Sequence, residues 1–489
     1  MPFVRRKENN MNKKWLLPLA IIFSLAIGTA GGMFFDPNFF MKWDSPKEDM
    51  EKEPAIASDI DLEKVEQAYD LIKKHYIHKV GHEDLVSGAI QGMISKLEDP
   101  YSVYMDQETA RQFNESLDSS FEGIGTEIGI EEQRIVIVSP YKDSPAEKAG
   151  LKAKDEIISV NGELVKGLNV QEVSVKIRGK KGTKVNLEIK RPGVAKNLTF
   201  EIKRDQIPIE TVFSHIKKEA GKRIGYIEIT SFSEKTAADF KKQLADLEKQ
   251  DIHSLIVDVR GNPGGLLPSV AEITNELVAS EKPFVQTEDR NGEKMKTYSR
   301  LEKKKPYNIA VLIDNGSASA SEILAAAMHE AGGYALIGEK TFGKGTVQQV
   351  VPMEGGSDIK LTTNKWLTPN GNWIHGVGIE PTVEIQQPSL YKTYPLSIEE
   401  TLKRDMTNEQ IQHAQEMLKG LGYEPGRQDG YFDLKTEIAV KAFQASSKLK
   451  VTGTIDELTA VELEKRIVDE IKDEENDVQL RTAIRYLVK

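Results

Sequence analysis

Strands alternate with helices along the middle of the chain, and this alternation constrains the fold more than any other feature of the sequence. Four short runs of apolar and β-branched residues predict strands, at 224–229, 255–259, 309–313 and 335–337. Helices are expected near 235–249 and 319–330. Such alternation is typical of α/β domains, so residues 206–395 are predicted to form an α/β core.

The chain before this core has two other periodicities. Between residues 61 and 112, apolar side chains recur at helical spacing, which predicts a helical segment whose helix pair ends at Asp99-Pro100. Between 113 and 205 the period changes, and a β-rich domain is predicted from three runs, at 135–138, 156–160 and 184–189.

The N-terminus predicts export. Residues 15–35 form an uncharged run long enough to cross a bilayer core of about 30 Å. The basic segment 1–14 is expected to stay cytoplasmic. Gly28-Thr29-Ala30 also fits a cleavage site, so a transmembrane anchor and a signal peptide remain alternatives. The polar residues 36–60 are expected to be a linker.

Residues 400–489 are predicted to form a small helical unit with an internal repeat. Four residues recur 23 positions later, Gly430, Phe432, Asp433 and Thr436 as Gly453, Ile455, Asp456 and Thr459. Two similar turn and helix-start signals indicate two related halves. The charged residues 462–477 are interpreted as a solvated helix.

The composition argues against several kinds of partners, metal sites and nucleophiles. The chain of 489 residues has 66 Lys and Arg against 76 Asp and Glu, and this acidic balance argues against a nucleic-acid partner. It has no cysteine, which excludes disulfides, thiolate metal sites and cysteine nucleophiles. Its eight histidines form no metal-binding pattern, and Walker and dinucleotide-binding loops are absent. No metal or other cofactor is predicted.

The densest chemical signal lies at residues 309–323, where a buried strand leads into a turn with Ser317, Ser319 and Ser321 and then into a helix. This arrangement can present a hydroxyl beside backbone N–H groups, which suits a nucleophile with an oxyanion hole. An ordinary serine N-cap is the alternative. The pattern does not say which serine would react.

A serine nucleophile needs a base. His329 would lie about 15 Å from Ser319 along the same helix, which is too far. The remaining candidate is Lys344, between two glycines. Its pKa, ordinarily about 10.4, would have to fall to about 7 for this role. A surface lysine in a glycine-rich turn is the alternative.

The loop 260–265 is rich in Pro and Gly. It could direct backbone N–H groups at an anion, or it could be an ordinary turn at the end of a strand.

Taken together, these motifs resemble the carboxyl-terminal processing (tail-specific) serine peptidases. The resemblance rests on residues 316–323, 338–349 and 367–381, and it extends to Leu-Glu-Asp-Pro-Tyr-Ser-Val-Tyr-Met at 97–105.

The resemblance implies roles for particular residues. Ser319 would be the nucleophile, Lys344 the general base and Gln348 the group that orients the lysine. Backbone N–H groups of Gly264 and Ala320 would form the oxyanion hole. Residues 344 and 348 stand about 13 Å apart in a straight strand, so we expect the chain to bend between them, at Gly345.

Two further modules are recognisable. Phe121-Glu-Gly123-Ile124-Gly125 is similar to the carboxylate-binding loop of PDZ domains, which bind extended C-termini by strand addition. Arg178, near the end of a predicted PDZ helix, is a candidate regulatory contact to the core, with a solvated arginine as the alternative. Asp429-Gly430-Tyr-Phe432 resembles a peptidoglycan-binding module.

The expected protein is therefore a multidomain α/β and α+β chain with an N-terminal helical segment, a PDZ domain, an α/β serine-peptidase core and a peptidoglycan-binding-like module. We expect an exported endopeptidase that reads the C-termini of protein substrates. The resemblance implies envelope or membrane regulatory substrates and a role in sporulation. A catalytically silent scaffold is the alternative. Further expected partners are the membrane, peptidoglycan and a second copy of the chain; the last module would serve either wall binding or assembly.

Overall fold

The computed structural model describes residues 60–489 except 132, 133, 195 and 399. The basic segment, the uncharged run at 15–35 and most of the predicted linker lie outside this range. Among the described helices, none combines the length and the apolar character needed to span a bilayer.

The N-terminal segment is helical, as predicted, but it also contributes a strand. Its first two helices are α1 (Ile60–His75) and α2 (His82–Ser95), and no residue of α2 is buried. The chain continues as β1 (Val103–Met105), which the helical spacing did not predict, and α3 (Gln107–Leu117). Helix α3 crosses the boundary that the sequence suggests at residue 112.

The PDZ-like domain is β-rich, as predicted. It contains β2 (Ser120–Gly123), β3 (Thr126–Glu131), β4 (Arg134–Pro140), α4 (Pro145–Ala149), β5 (Glu156–Val160), β6 (Glu163–Leu164), α5 (Val170–Ile177), β7 (Lys184–Lys190), β8 (Leu198–Lys203) and β9 (Asp205–Pro208). The main sheet has the order β3-β4-β5-β7-β8, so one edge of β3 has no strand neighbour among the described residues. Strand β2 pairs with β9 instead.

The α/β core is built on a six-stranded sheet, as the alternation predicts. The first strands of this sheet are β10 (Val212–Glu219), β11 (Lys222–Ile229) and β12 (Ser254–Asp258), and they are accompanied by the helices α6 (Thr236–Glu248) and α7 (Leu267–Leu277). The hairpin of β13 (Pro283–Glu288) and β14 (Lys294–Tyr298) follows and lies outside the sheet. The chain then returns to the sheet with β15 (Asn308–Ile313), the helix α8 (Ala320–Ala326) and β16 (Ala335–Gly338). Pairing is parallel from β11 to β16, which brings the carboxyl ends of β12 and β15 together. The serine turn and the Pro-Gly-Gly loop follow these two strands, so they meet at one edge.

A second sheet joins the N-terminal segment to the core. It contains β17 (Thr346–Pro352) and β18 (Asp358–Leu367), together with β13, β14 and β1. Val103 of β1 lies opposite Lys360 of β18. The two-residue strand β19 (Val383–Glu384) closes the six-stranded sheet beside β16.

The C-terminal module contains α9 (Glu409–Gly420), α10 (Leu434–Ser446) and α11 (Glu457–Lys472) around one apolar cluster. The 23-residue repeat appears as two equivalent helix starts, since Asp433 and Asp456 each accept the N–H of the threonine three residues on, at 2.9 Å. The interpretation of 462–477 as a solvated helix is wrong, because α11 ends at Lys472 and buries Leu463 and Ile467.

The last helix, α12 (Val478–Val488), leaves this module and packs on the core. Leu480, Ala483 and Leu487 pack against the face of the six-stranded sheet that presents Tyr226, Ile256, Ala310 and Leu312. Just before α12, Asp477 binds the guanidinium of Arg260 through both oxygens, at 2.8 and 3.0 Å. Residues 477–488 therefore belong structurally to the core.

Candidate active site

Ser319 lies at the start of α8 in a strained conformation, with φ 54° and ψ −111°. Such backbone angles cost a non-glycine residue about 1–3 kcal/mol and are found mostly at functional sites. The neighbouring hydroxyls have structural partners, because Ser317 Oγ donates to the Val259 carbonyl at 2.7 Å and Ser321 Oγ to the Asn262 carbonyl at 2.8 Å. These contacts leave Ser319 as the candidate nucleophile.

Lys344 precedes β17 and is completely buried. Its carbonyl accepts the indole N–H of Trp366 at 2.7 Å. Its Nζ lies 4.8 Å from the centre of the Tyr101 ring and forms no hydrogen bond with any described residue. The amine is thus shielded from water and is bonded neither to Ser319 nor to Gln348 in this structure.

Burial sets the protonation of this lysine. Loss of hydration and, to a smaller extent, the nearby charge of Lys360 lower the pKa of Lys344 to about 7, against the opposing charges of Asp99 and Glu322. A pKa of about 7 leaves roughly half of the amine neutral at neutral pH, against less than about 0.1% at the ordinary value. Lys344 therefore has the proton affinity that a general base needs.

Gln348 lies on β17 and shares a small cavity of about 20 Å³ with Ser319. Its Nε2 donates to Thr346 Oγ1 at 2.9 Å and to Thr362 Oγ1 at 3.1 Å. The pairing with β18 is irregular between Val347 and Gln348, which lies within the stretch where we expected a bend, whereas Gly345 precedes the strand. Gly345 instead allows a close backbone approach, because an added Cβ would lie 2.7 Å from the His375 nitrogen.

The predicted oxyanion-hole residues are adjacent, but one of them is occupied. A Cβ added to Gly264 would lie 3.0 Å from the Ala320 nitrogen, which shows how closely the two loops approach. The Gly264 N–H, however, donates to Asn262 Oδ1 at 2.8 Å. Asn262 is fully buried, and its Nδ2 donates to the Ile229 carbonyl at 2.7 Å. Gly264 is therefore not directed at a substrate oxygen in this conformation.

Sequence reasoning missed Glu322, which connects the two halves of the site. This buried carboxylate accepts the N–H of Ser319 at 2.8 Å, the N–H of Gly343 at 2.7 Å, the N–H of Lys344 at 2.8 Å and the hydroxyl of Thr341 at 2.6 Å. Burial raises the pKa of Glu322, and these four donors oppose the rise. The signal was present, because Ser319 and Glu322 have the Ser-x-x-Glu spacing of a capping box.

The PDZ loop is folded against its own domain. The Ile124 carbonyl accepts the Ala146 N–H at 2.8 Å, and Gly125 has φ 73° where an added Cβ would lie 2.5 Å from Ser144 Cβ. Gly123 lies beside Phe121, whose ring centre is 4.9 Å from the guanidinium carbon of Arg178.

Arg178 lines a cavity of about 1210 Å³, which lies between the PDZ-like domain, α3 and the core. Pro263 of the loop that carries Gly264 lines the same cavity. The cavity therefore extends from the PDZ helix to the oxyanion loop. Within the described part of the chain, no group of three or more His, Asp or Glu side chains is arranged to hold a metal ion.

Four family models match the chain. Peptidase family S41 matches residues 223–385, the PDZ domain 136–191, the putative peptidoglycan binding domain 407–463, and the N-terminal domain of the activating protease CtpB 25–109.

Curated relatives match along most of their length. The carboxy-terminal processing protease CtpB of Bacillus subtilis is 56% identical over 426 residues, which are 87% of this chain and 89% of the relative. The carboxy-terminal processing protease CtpA of the same organism is 45% identical over 439 residues, 89% of this chain and 92% of the relative. A probable CtpA-like serine protease of Staphylococcus epidermidis is 36% identical and covers 87% of this chain and 86% of its own.

Proposed function

Because the chain belongs to peptidase family S41 as a carboxy-terminal processing serine protease with a PDZ domain, we propose that Ser319, Lys344 and Gln348 carry its catalysis. The observation that carries this proposal is the state of Lys344. It is completely buried, its amine has no hydrogen-bond partner among the described residues, and its pKa is lowered to about 7.

The reaction follows from these roles. Lys344 removes the proton of the Ser319 hydroxyl as the oxygen attacks the scissile carbonyl. The N–H groups of Ala320 and Gly264 stabilise the oxyanion, once Gly264 has left the Asn262 side chain. Lys344 then protonates the leaving amine, and water hydrolyses the acyl-enzyme with the lysine again as base. Gln348, which carries no charge, positions the amine and stabilises its protonated form less strongly than a carboxylate would.

Three observations support a resting state in the described conformation. The Lys344 amine is unbonded, the Gln348 amide nitrogen is bonded to two threonines, and the Gly264 N–H is bonded to Asn262. We propose that a substrate C-terminus in the loop at Gly123, Ile124 and Gly125 changes this state through Arg178. The cavity that joins Arg178 to Pro263 supports this route.

The proposal also covers the location of the protein and its physiological role. The homologues and the peptidoglycan-binding-like module indicate an envelope association. We propose that residues 15–35 anchor the chain in the membrane or direct its secretion, that the substrates are envelope or membrane regulatory proteins, and that one setting is sporulation. The module at 407–463 would bind peptidoglycan.

Self-association is proposed from the N-terminal helices. Helix α2 buries none of its residues, and large apolar side chains on α1 and α2 are exposed, with Leu71 at 62% and Met93 at 60%. A second copy that covers these faces would form a homodimer. Met93→Glu should then shift the sedimentation coefficient to that of a monomer, whereas Glu98→Gln, an exposed change in the same segment, should not.

Cleavage assays test the catalytic proposal. Purified full-length protein and its Ser319→Ala variant would be compared on an unfolded substrate with a free or an amidated C-terminus. Ser269→Ala is the matched control, because this buried hydroxyl has no hydrogen-bond partner. We expect only Ser319→Ala to abolish cleavage, and amidation to slow it. Equal activity of all three proteins would favour the silent scaffold.

A further inference from the structure

The motif at residues 97–105 has no role in the proposed reaction, yet it lies against the catalytic residues. Strand β1 attaches it to the core through β18. Ser102 Oγ accepts the backbone N–H of Thr362 at 3.0 Å and donates to Asp99 Oδ2 at 2.5 Å. The Tyr101 N–H donates to Asp99 Oδ1 at 3.1 Å. Asp99, Tyr101 and Ser102 therefore form one rigid turn on the active-site sheet.

From this turn a chain of hydrogen bonds reaches Gln348. Thr362 connects Asp99 with Gln348: as a donor its side chain helps, against the effect of burial, to lower the pKa of Asp99, and its Oγ1 accepts from Gln348 Nε2 at 3.1 Å. A hydroxyl that donates to a carboxylate is left with its lone pairs, so Thr362 can only accept from the amide. Gln348 must then direct its NH₂ group at Thr362 and its Oε1 away from it. The chain fixes which end of the Gln348 amide is available to the lysine.

The same turn covers the base. The ring of Tyr101 lies 4.8 Å from the Lys344 amine, and His375 stands edge-on to that ring at 6.1 Å. The charged groups that act on Lys344 are Lys360 on β18, Asp99 on this turn and Glu322 on α8. Asp99 thus acts on the base by charge and on Gln348 through Thr362.

We propose that the N-terminal segment completes the catalytic site, with Asp99 and Thr362 as positioning residues that orient the Gln348 amide and Tyr101 as the cover of the Lys344 amine. The inference rests on the proposed roles of Ser319, Lys344 and Gln348. It means that the peptidase core is incomplete without residues that precede the PDZ-like domain.

Two adjacent threonines provide the test. Thr362→Val removes the hydroxyl that holds Gln348, whereas Thr363→Val removes a buried hydroxyl that has no hydrogen-bond partner. Full-length variants would be compared for kcat, KM and melting temperature. We expect Thr362→Val to lower kcat about tenfold or more with KM within twofold, as small misplacements of catalytic groups do. Thr362→Ser should restore kcat, and Thr363→Val should match the parent.

The pH–rate profile of Asp99→Asn is the second readout, because a purely structural role of Asp99 would leave this profile unchanged. Asparagine keeps the shape of the side chain and one of its two acceptor oxygens but loses the charge that favours protonated Lys344. The acid limb of the pH–rate profile should therefore move to lower pH. Equal kcat for Thr362→Val and Thr363→Val, no rescue by serine, or an unmoved acid limb would each overturn the inference. If Ser319→Ala retains activity, the proposed function itself fails; if it is inactive while Thr362→Val is normal, only this inference fails.

Discussion

The backbone N–H groups of Ser319 and Lys344 donate to the same oxygen, Oε2 of Glu322, at 2.8 Å each. The candidate nucleophile and the candidate base come from different elements, yet one atom sets their separation. The arrangement also opposes the strain at Ser319, because a charged acceptor stabilises the N–H that the unusual backbone angles present. Movement of either loop would break a hydrogen bond to a buried charge.

Glu322→Gln should therefore lower kcat about 100-fold or more, because the amide places an NH₂ group against the donors of Gly343 and Thr341. It should also lower the free energy of unfolding by about 1–3 kcal/mol, since buried donors lose their acceptor. Kinetics and thermal unfolding of the variant measure both effects. Glu281→Gln, on an exposed residue, is the control. Parental kcat in Glu322→Gln would contradict this role.

The pH dependence follows from the pKa of Lys344. If the neutral amine acts as the proposed base, its pKa of about 7 means that kcat/KM should rise with pH and reach half of its plateau near pH 7. Lys360 is buried and its positive charge disfavours protonated Lys344, so Lys360→Met should raise the pKa of Lys344 and move the acid limb to higher pH. Profiles from pH 5 to 9 test this. A limb that stays in place would refute the electrostatic coupling.

Much of the fold could be predicted from the sequence, for physical reasons that differ between elements. The strands β11, β12, β15 and β16 are continuous apolar runs because helices cover both faces, and such runs are visible in one dimension. The helix starts at Asp433 and Asp456 were visible because capping is local. Strand β1 was missed, because three residues carry no period and its pairing with β18 is long-range.

The site was predicted less completely, and the family resemblance supplied the roles. Ser319 and Lys344 lie in recognisable turns, and the capping-box spacing pointed to Glu322 as a partner of Ser319, but the bonds from Glu322 to Gly343 and Lys344 exist only once the two loops are folded together. The sequence predicts only a turn at Asn262, whereas in the structure its side chain accepts a hydrogen bond from the Gly264 N–H. The prediction of a solvated helix at 462–477 is wrong because the many charged residues of α11 mask the apolar spacing of its buried residues Leu463 and Ile467.

Arg178→Ala tests the route from the PDZ-like domain to the core. Arg178 packs on Phe121 beside the loop at Gly123, Ile124 and Gly125 and lines the cavity that reaches Pro263. Its loss should lower turnover several-fold on substrates with a free C-terminus, while the melting temperature stays unchanged. Lys166→Ala, an exposed cation of the same domain, serves as the comparison. Normal turnover in Arg178→Ala would exclude this residue from regulation.

The packing of helix α12 on the core leads to a prediction about the C-terminal region. Leu480 is 3% exposed against the core sheet, whereas Leu458 on α11 is 63% exposed. Leu480→Asp would place a charge in an apolar interface and should lower the melting temperature by several degrees together with activity, since burying an unpaired charge costs several kcal/mol. Leu458→Asp should change neither. Full activity and stability in Leu480→Asp would mean that α12 is dispensable to the core.

The position of α12 also determines when the protein can begin to work. The sheet that carries the candidate nucleophile keeps one apolar face uncovered until residues 478–488 have been synthesised, after the whole peptidoglycan-binding-like module. Domains usually fold as they emerge from the ribosome, but this core must wait for a segment made more than ninety residues after β19 (Val383–Glu384). We therefore expect a chain cut short before residues 478–488 to carry all three proposed catalytic residues on an unfinished core, so that the order of synthesis would delay proteolysis until the chain is complete.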